Sequence, residues 1–175
     1  DYFTLDGEPR VLSVVRDISD RRAAERAILE SRERLQLAIS ASNVGLWDWN
    51  VQTGDTTFNE QWAQLIGYTL EEISPTNIHT WMELAHPEDL DESNRLLQAH
   101  FQGDTKYYEC EARMQHKDGS WIWVRDRGKV IEWTDEGEPL RMTGTHVDIT
   151  AAKEREAQQE EQLSQFQKMV DPIDQ

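Results

Sequence analysis

An α+β domain built on a single antiparallel sheet, with short helices covering one face, is the architecture written into this 175-residue chain. Three patterns point to it. Apolar residues recur at helical spacing through residues 59–103, then switch to strict alternation through residues 106–149. Two strand-like segments precede that helical stretch, so the helices fall between two groups of strands, an order that covers one face of a sheet. The chain also repeats itself. Gly7-Glu8-Pro9, leading to Asp17-Ile18-Ser19, returns as Gly137-Glu138-Pro139, leading to Asp148-Ile149-Thr150, and each copy runs into a charged helix former. Asp17 and Asp148 lie 131 residues apart, a domain length rather than the about 20–50 residues of a solenoid repeat. The chain therefore reads as the tail of one domain, one complete domain, and a connector toward the next.

Composition excludes several functions. Apolar residues make up only 37% of the chain, and the mean hydropathy is −0.78. The deficit sits in two charged runs, residues 20–42 and 151–168, so the middle retains enough apolar residues for a core. A net charge of −16 argues against binding a phosphate backbone, which needs a surplus of Lys and Arg. It also argues against an anionic membrane surface. The lone cysteine, Cys110, cannot form an internal disulfide and fits a reducing compartment. No apolar run reaches the length of a membrane span and no signal peptide is visible, so a cytoplasmic piece is expected, in a parent that can be anchored elsewhere.

In chain order, residues 10–17 carry Val11, Val14 and Val15 in loose alternation and read as a short strand. Ser19 or Asp20 is placed to cap the following helix. Ala24, Ile28, Ser31, Leu35, Ala38 and Ser42 then recur at heptad spacing with Arg and Glu on the flanks. This narrow seam fits either a solvated connector or a parallel dimer contact. Asn43 ends the helix, and Gly45–Asn50 reads as a strand with Trp47 and Trp49 on one face. After the Thr53-Gly54-Asp55 turn come a short strand at residues 55–58 and a helix at 60–66, capped by Asn59 and stopped by Gly67. Thr69-Leu70-Glu71-Glu72 is a capping box for a single turn, and Asn77 caps a short helix carrying Ile78, Trp81, Met82 and Leu84. His86-Pro87-Glu88-Asp89 launches a longer helix with Leu90, Leu97 and Phe101 on one face, ended by Gly103. Tyr108, Cys110, Ala112 and Met114 then mark the buried side of a strand at 106–115. An Asp118-Gly119 hairpin turn, a long strand at 121–133, a turn at 135–137 and a last strand at 140–149 complete the domain.

With these residues in place, the chain resembles a PAS domain of the bacterial subtype whose first strand reads Gly-Leu-Trp-Asp-Trp. The matching pieces are Gly45–Asn50, Phe58-Asn59-Glu60, Leu65-Ile66-Gly67-Tyr68, and Trp81 with His86-Pro87-Glu88-Asp89. His116-Lys117-Asp118-Gly119-Ser120, Trp123-Val124, Asp126-Arg127-Gly128 and Gly144–Thr150 come next, in that order. The resemblance covers residues 44–150 and implies the PAS fold: five antiparallel strands in the order 2-1-5-4-3, flanked by N- and C-terminal connector helices. It also makes residues 1–19 the end of a preceding PAS domain, 20–43 a coiled-coil-like connector, and 151–175 a signalling helix.

No catalytic constellation is found. The nine glycines form no phosphate loop, and Cys110, on the apolar side of a strand, reads as a buried inert thiol. The five histidines have no metal-ligand spacing. His146 stands opposite Val15 in the repeat, which favours a structural role. The resemblance would place a haem ligand on the long helix, where only His100 lies, late in that helix, so haem is disfavoured. Flavin is disfavoured too, because the family's Asn-Cys-Arg-Phe motif is absent and Cys110 lies on the wrong element; a non-covalent flavin or small metabolite stays open. The pairs Trp47/Trp49 and Trp121/Trp123 each share a strand face, and can line a cavity, fill the core, or receive a helix on the outer sheet face. Trp49, Trp81, Cys110 and Met114 are the candidate ligand-binding residues.

The expected function is a sensory module, not itself an enzyme, in a multidomain bacterial signalling protein such as a two-component histidine kinase or a diguanylate cyclase. Asp148, Ile149 and Thr150, with Asp17, Ile18 and Ser19 in the first copy, are the expected relay, feeding homodimeric coiled coils at 20–43 and 151–170. Neighbouring PAS and output domains in the same chain are the expected partners, with no nucleic acid and no direct membrane contact. Thr150 is expected to cap the last helix, although Lys153 stands where a capping box needs Glu or Gln. A ligand-free dimerisation scaffold is the alternative.

Overall fold

The switch from helical to strand periodicity falls where the pattern places it. A computed structural model describes residues 2–5, 8–11 and 17–170. Its contacts divide between Ala41 and Ser42 into two units. In the first unit, β1 (Tyr2–Leu5) and β2 (Glu8–Val11) form an antiparallel pair with Tyr2 opposite Val11. Pro9 is tolerated there because a two-stranded ribbon consists only of edges. The strand expected at residues 10–17 shares only Arg10 and Val11 with β2; residues 12–16 lie outside the described residues. β1 leaves no signal in the sequence, because four residues are too few to show a period. Helix α1 (Ser19–Ala41) buries none of its residues. Ser19 is already inside the helix, and its amide donates to Asp17 Oδ1 at 2.9 Å, so Asp17 rather than Ser19 or Asp20 serves the orphan amide.

The second unit carries β3 (Gly45–Asn50), β4 (Thr56–Phe58), α2 (Glu60–Leu65), α3 (Leu70–Ile73), α4 (Ile78–Leu84) and α5 (Pro87–Phe101). After these come β5 (Tyr108–Gln115), β6 (Trp121–Trp133), β7 (Pro139–Asp148) and α6 (Thr150–Val170). The sheet order is β4-β3-β7-β6-β5 with every pair antiparallel, which is 2-1-5-4-3 when only these five strands are numbered. Three caps are those expected. Asn59 accepts from the Trp62 amide, and both Thr69 and Asn77 close capping boxes. Gly67, Gly103 and Gly119 take positive φ where helix ends and a hairpin turn require it.

Alternation decides which sheet face is buried. Tyr108, Cys110, Ala112 and Met114 on β5 point inward with Val124, Asp126, Gly128 and Val130 on β6. Burying a side chain such as Met114, Met142 or Val124 is worth about 1.5–3 kcal/mol each. One row across the sheet is unusual. Trp47 lies opposite Gly144, and Gly144 opposite Gly128. A Cβ on either glycine would overlap the Trp47 ring, so the indole lies flat over two bare backbones. The two tryptophan pairs occupy opposite faces: Trp47 and Trp49 the inner one, Trp121 and Trp123 the outer one.

Candidate functional site

Between the inner sheet face and α4–α5 lies a cavity of about 240 Å³. Its wall is mostly apolar, with Phe58, Ile78, Met82, Leu90, Leu97 and Met142 among the lining residues. Trp47 and Trp49 come to it from β3, and Trp81 from α4.

One end of the cavity is a buried polar chain. Trp62 Nε1–H donates to His146 Nδ1 at 2.8 Å, which leaves the ring proton on Nε2. That Nε2 faces Asp126 Oδ2 at 3.1 Å, and Trp47 Nε1–H donates to Asp126 Oδ1 at 2.9 Å. A carboxylate only 5% exposed is thereby held by two neutral donors, as a buried acceptor must be. Nearby, the Ser93 and Tyr108 hydroxyls meet at 2.8 Å. Burial, with the Asp126 charge adding to it, pushes the Tyr108 phenol far above its ordinary value, so it stays protonated.

The expected ligand-binding residues separate. Trp49 and Trp81 line the cavity, whereas Cys110 and Met114 are packed in the core cluster and are not among the lining residues. Burial pushes the Cys110 thiol up to about 11, leaving it neutral and unreactive near pH 7. His100 has both ring nitrogens engaged: Nδ1 lies 2.9 Å from the Thr105 carbonyl, and the Val130 amide donates to Nε2 at 3.1 Å. It does not fit haem ligation without losing one of these bonds. Among the described residues, no group of three or more His, Cys, Asp and Glu could hold a metal ion.

The sequence pattern marks neither Asp126 nor His146 as a ligand-binding residue, and it favours a structural role for His146. The signal for Asp126 was present: a charge on the apolar parity of Val124–Val130. His146, opposite Val15 in the repeat, is 1% exposed and has a polar partner at each ring nitrogen.

A second arrangement joins the sheet to α6. Asp148 Oδ1 accepts the Thr150 amide at 2.8 Å, the same two-residue span as Asp17 to Ser19. Thr150 does not cap its own helix; its Oγ1 accepts the Trp123 amide at 2.9 Å, from the neighbouring strand. The Ile149 amide donates to the Trp123 carbonyl at 2.8 Å. Lys153, where a capping box needs Glu or Gln, instead pairs with Glu111 on β5 at 2.6 Å and lies 5.3 Å from the Trp123 ring centre. Both backbone polar groups of Trp123 are thus spent on the start of α6.

Comparison with known proteins agrees with this architecture. A family model described as the PAS fold matches residues 55–146. A solved sensory box histidine kinase/response regulator domain from Burkholderia thailandensis is 30% identical, with a TM-score of 0.68, covering 77% of this chain and 98% of that one. The N-terminal domain of a diguanylate cyclase with PAS/PAC sensor from Marinobacter aquaeolei is 27% identical, with a TM-score of 0.54, covering 63% and 98%. Among curated proteins, the probable diguanylate cyclase DgcE of Escherichia coli is 26% identical over 150 residues, which is 85% of this chain and 13% of that protein. Hybrid signal transduction histidine kinase A of Dictyostelium discoideum is 24% identical and is covered over 11% of its length. The chain thus spans only about an eighth of the length of these curated relatives. With the family model matching more than half of the residues, and the strand order above in accord with it, the chain belongs to the PAS fold family.

Proposed function

We propose that this chain is a sensory module in which a cue held in the cavity is relayed through β6 and the Asp148-Ile149-Thr150 junction to α6. One observation carries the reading. Asp126, at the cavity, and Trp123, tied to Thr150 and Ile149, are three residues apart on β6, about 10 Å along a strand. A small displacement of that strand moves the first turn of the helix. The apolar positions Leu163 and Phe166 on α6, and Ile28 and Leu35 on α1, are 58–69% exposed, which suits paired helices in a homodimer. In this reading residues 1–19 end a preceding PAS domain, 20–43 connect, 44–150 sense, and 151–175 lead onward. The module itself is not an enzyme; a kinase or cyclase output belongs to the rest of the protein. The cavity supports a sensor over a ligand-free scaffold, which needs a filled core.

The test is output measured in the full-length protein with and without the cue. Thr150→Val, which removes the bond to Trp123, is expected to shrink the difference between the two states, and Asp148→Ala to do the same. Unchanged output in both states for both variants would sink the relay. Light scattering checks the dimer, and a monomer at tens of micromolar removes it.

A further inference from the structure

Around the cavity, hydrogen bonds are accounted for with two exceptions. Trp47, Asp126 and His146 satisfy one another, Ser93 pairs with Tyr108, and the Thr56 hydroxyl donates to the Gly54 carbonyl at 3.1 Å. Asn94 is exposed. The exceptions are Trp49 Nε1 and Trp81 Nε1, both buried and both without a hydrogen-bond partner. They stand on different walls of the same cavity, one on strand β3 and the other on helix α4. An indole N–H can only donate, and leaving it buried and unmet costs free energy. A water bridging the two N–H groups would have only the minimum of two partners, since the other buried polar groups of the wall already hold one another. What the wall lacks is acceptors.

We infer that the cavity takes an uncharged, ring-shaped small molecule bearing carbonyl-type acceptors, held by the N–H groups of Trp49 and Trp81. This rests on the sensory reading above and specifies its ligand. The flat aromatic walls and apolar lining suit a ring. Asp126 opposes a second negative charge, so a carboxylate ligand is rejected. The volume of about 240 Å³ falls below the about 300–1,000 Å³ of drug-sized sites, which limits the occupant to one or two fused rings. An amine is the decisive competitor, because Asp126 and the surrounding rings would also attract a cation.

The experiment titrates the purified chain with four probes of one shape: 1-indanone, indane, 1-aminoindane and indane-1-carboxylate. Calorimetry and indole fluorescence supply the readouts. The ketone is expected to bind about tenfold more tightly than indane and than either charged probe. Trp49→Phe and Trp81→Phe, which keep an aromatic ring and remove the N–H, are each expected to cut the ketone's advantage over indane at least about threefold, with indane itself little changed. If indane binds as well as the ketone, the acceptor inference is wrong while the sensory cavity stands. If 1-aminoindane or indane-1-carboxylate binds most tightly, the ligand class is wrong. If none of the four binds, the inference is overturned, whereas the sensory reading stands or falls on the output of Thr150→Val and Asp148→Ala. The comparison among probes on the unaltered chain decides the matter even where one variant fails to fold.

Discussion

Trp47/Trp49 and Trp121/Trp123 have the same spacing on neighbouring parts of one sheet, yet they lead different lives. The inner pair is fixed by what its neighbours lack: Trp47 needs glycine on two adjoining strands and gives its N–H to a buried carboxylate. The outer pair is fixed by what its neighbours carry. Trp123 lies about 5.5 Å from the Arg113 guanidinium and 5.3 Å from Lys153, while Trp121 meets the His86 ring edge-on. Bare backbone and a buried acceptor hold Trp47, whereas flanking cations hold Trp123. Alternation says that two residues share a face; the identity of the cross-strand neighbours says which face it is.

That contrast can be broken at several points. Gly144→Ala should cost the most, about 3 kcal/mol, because the new methyl meets the Arg127 carbonyl and the Gly128 backbone as well as the Trp47 ring. Urea denaturation measures it. The atoms nearest a Gly128→Ala methyl belong to the side chains of Trp47 and Met142, so combining it with Trp47→Phe should recover part of its loss, a coupling read by a double-mutant cycle. Trp47→Phe alone should cost about 2 kcal/mol, since Asp126 loses a donor while buried.

The outer face should respond to pH instead. The Arg113 side chain holds the Asp89 carboxyl below its ordinary value, and Lys153 does the same for Glu111. A lowered carboxyl stabilises the fold above its unfolded pKa of about 4 and loses that contribution as pH falls through the lower folded value. The melting temperature should therefore drop below about pH 4, and less steeply in Asp89→Asn. Smallest of all, Lys153→Met should change stability by less than about 1 kcal/mol, the scale of an exposed cation–π contact and ion pair. A large loss there would erase the distinction between the two faces.

Much of the fold was legible because its signals are local. Caps at Asn59, Thr69 and Asn77, glycine stops, and alternation from Tyr108 to Met114 each need only a few adjacent residues. The site was less legible because its logic is non-local. Asp126 and His146 meet across two strands, and Trp62 reaches His146 from a helix 84 residues away in sequence. Cys110 and Met114 sit on the apolar face as alternation requires, but alternation cannot tell a residue beside a cavity from one packed beyond it. Thr150 looked like a cap because capping is a local rule; its hydroxyl instead answers an amide 27 residues away.

The shared geometry of Asp17–Ser19 and Asp148–Thr150 gives the molecule a natural splice point. Each helix begins two residues after a carboxylate that takes its first amide, so the chain enters both helices at the same offset. Counted from that aspartate, Leu35 falls level with Phe166, while Ile28 falls level with the polar Gln159. Recombination at the aspartate would therefore exchange one connector for the other with the helix start kept and Phe166 set where Leu35 stood, making the junction a coupling of standard thread.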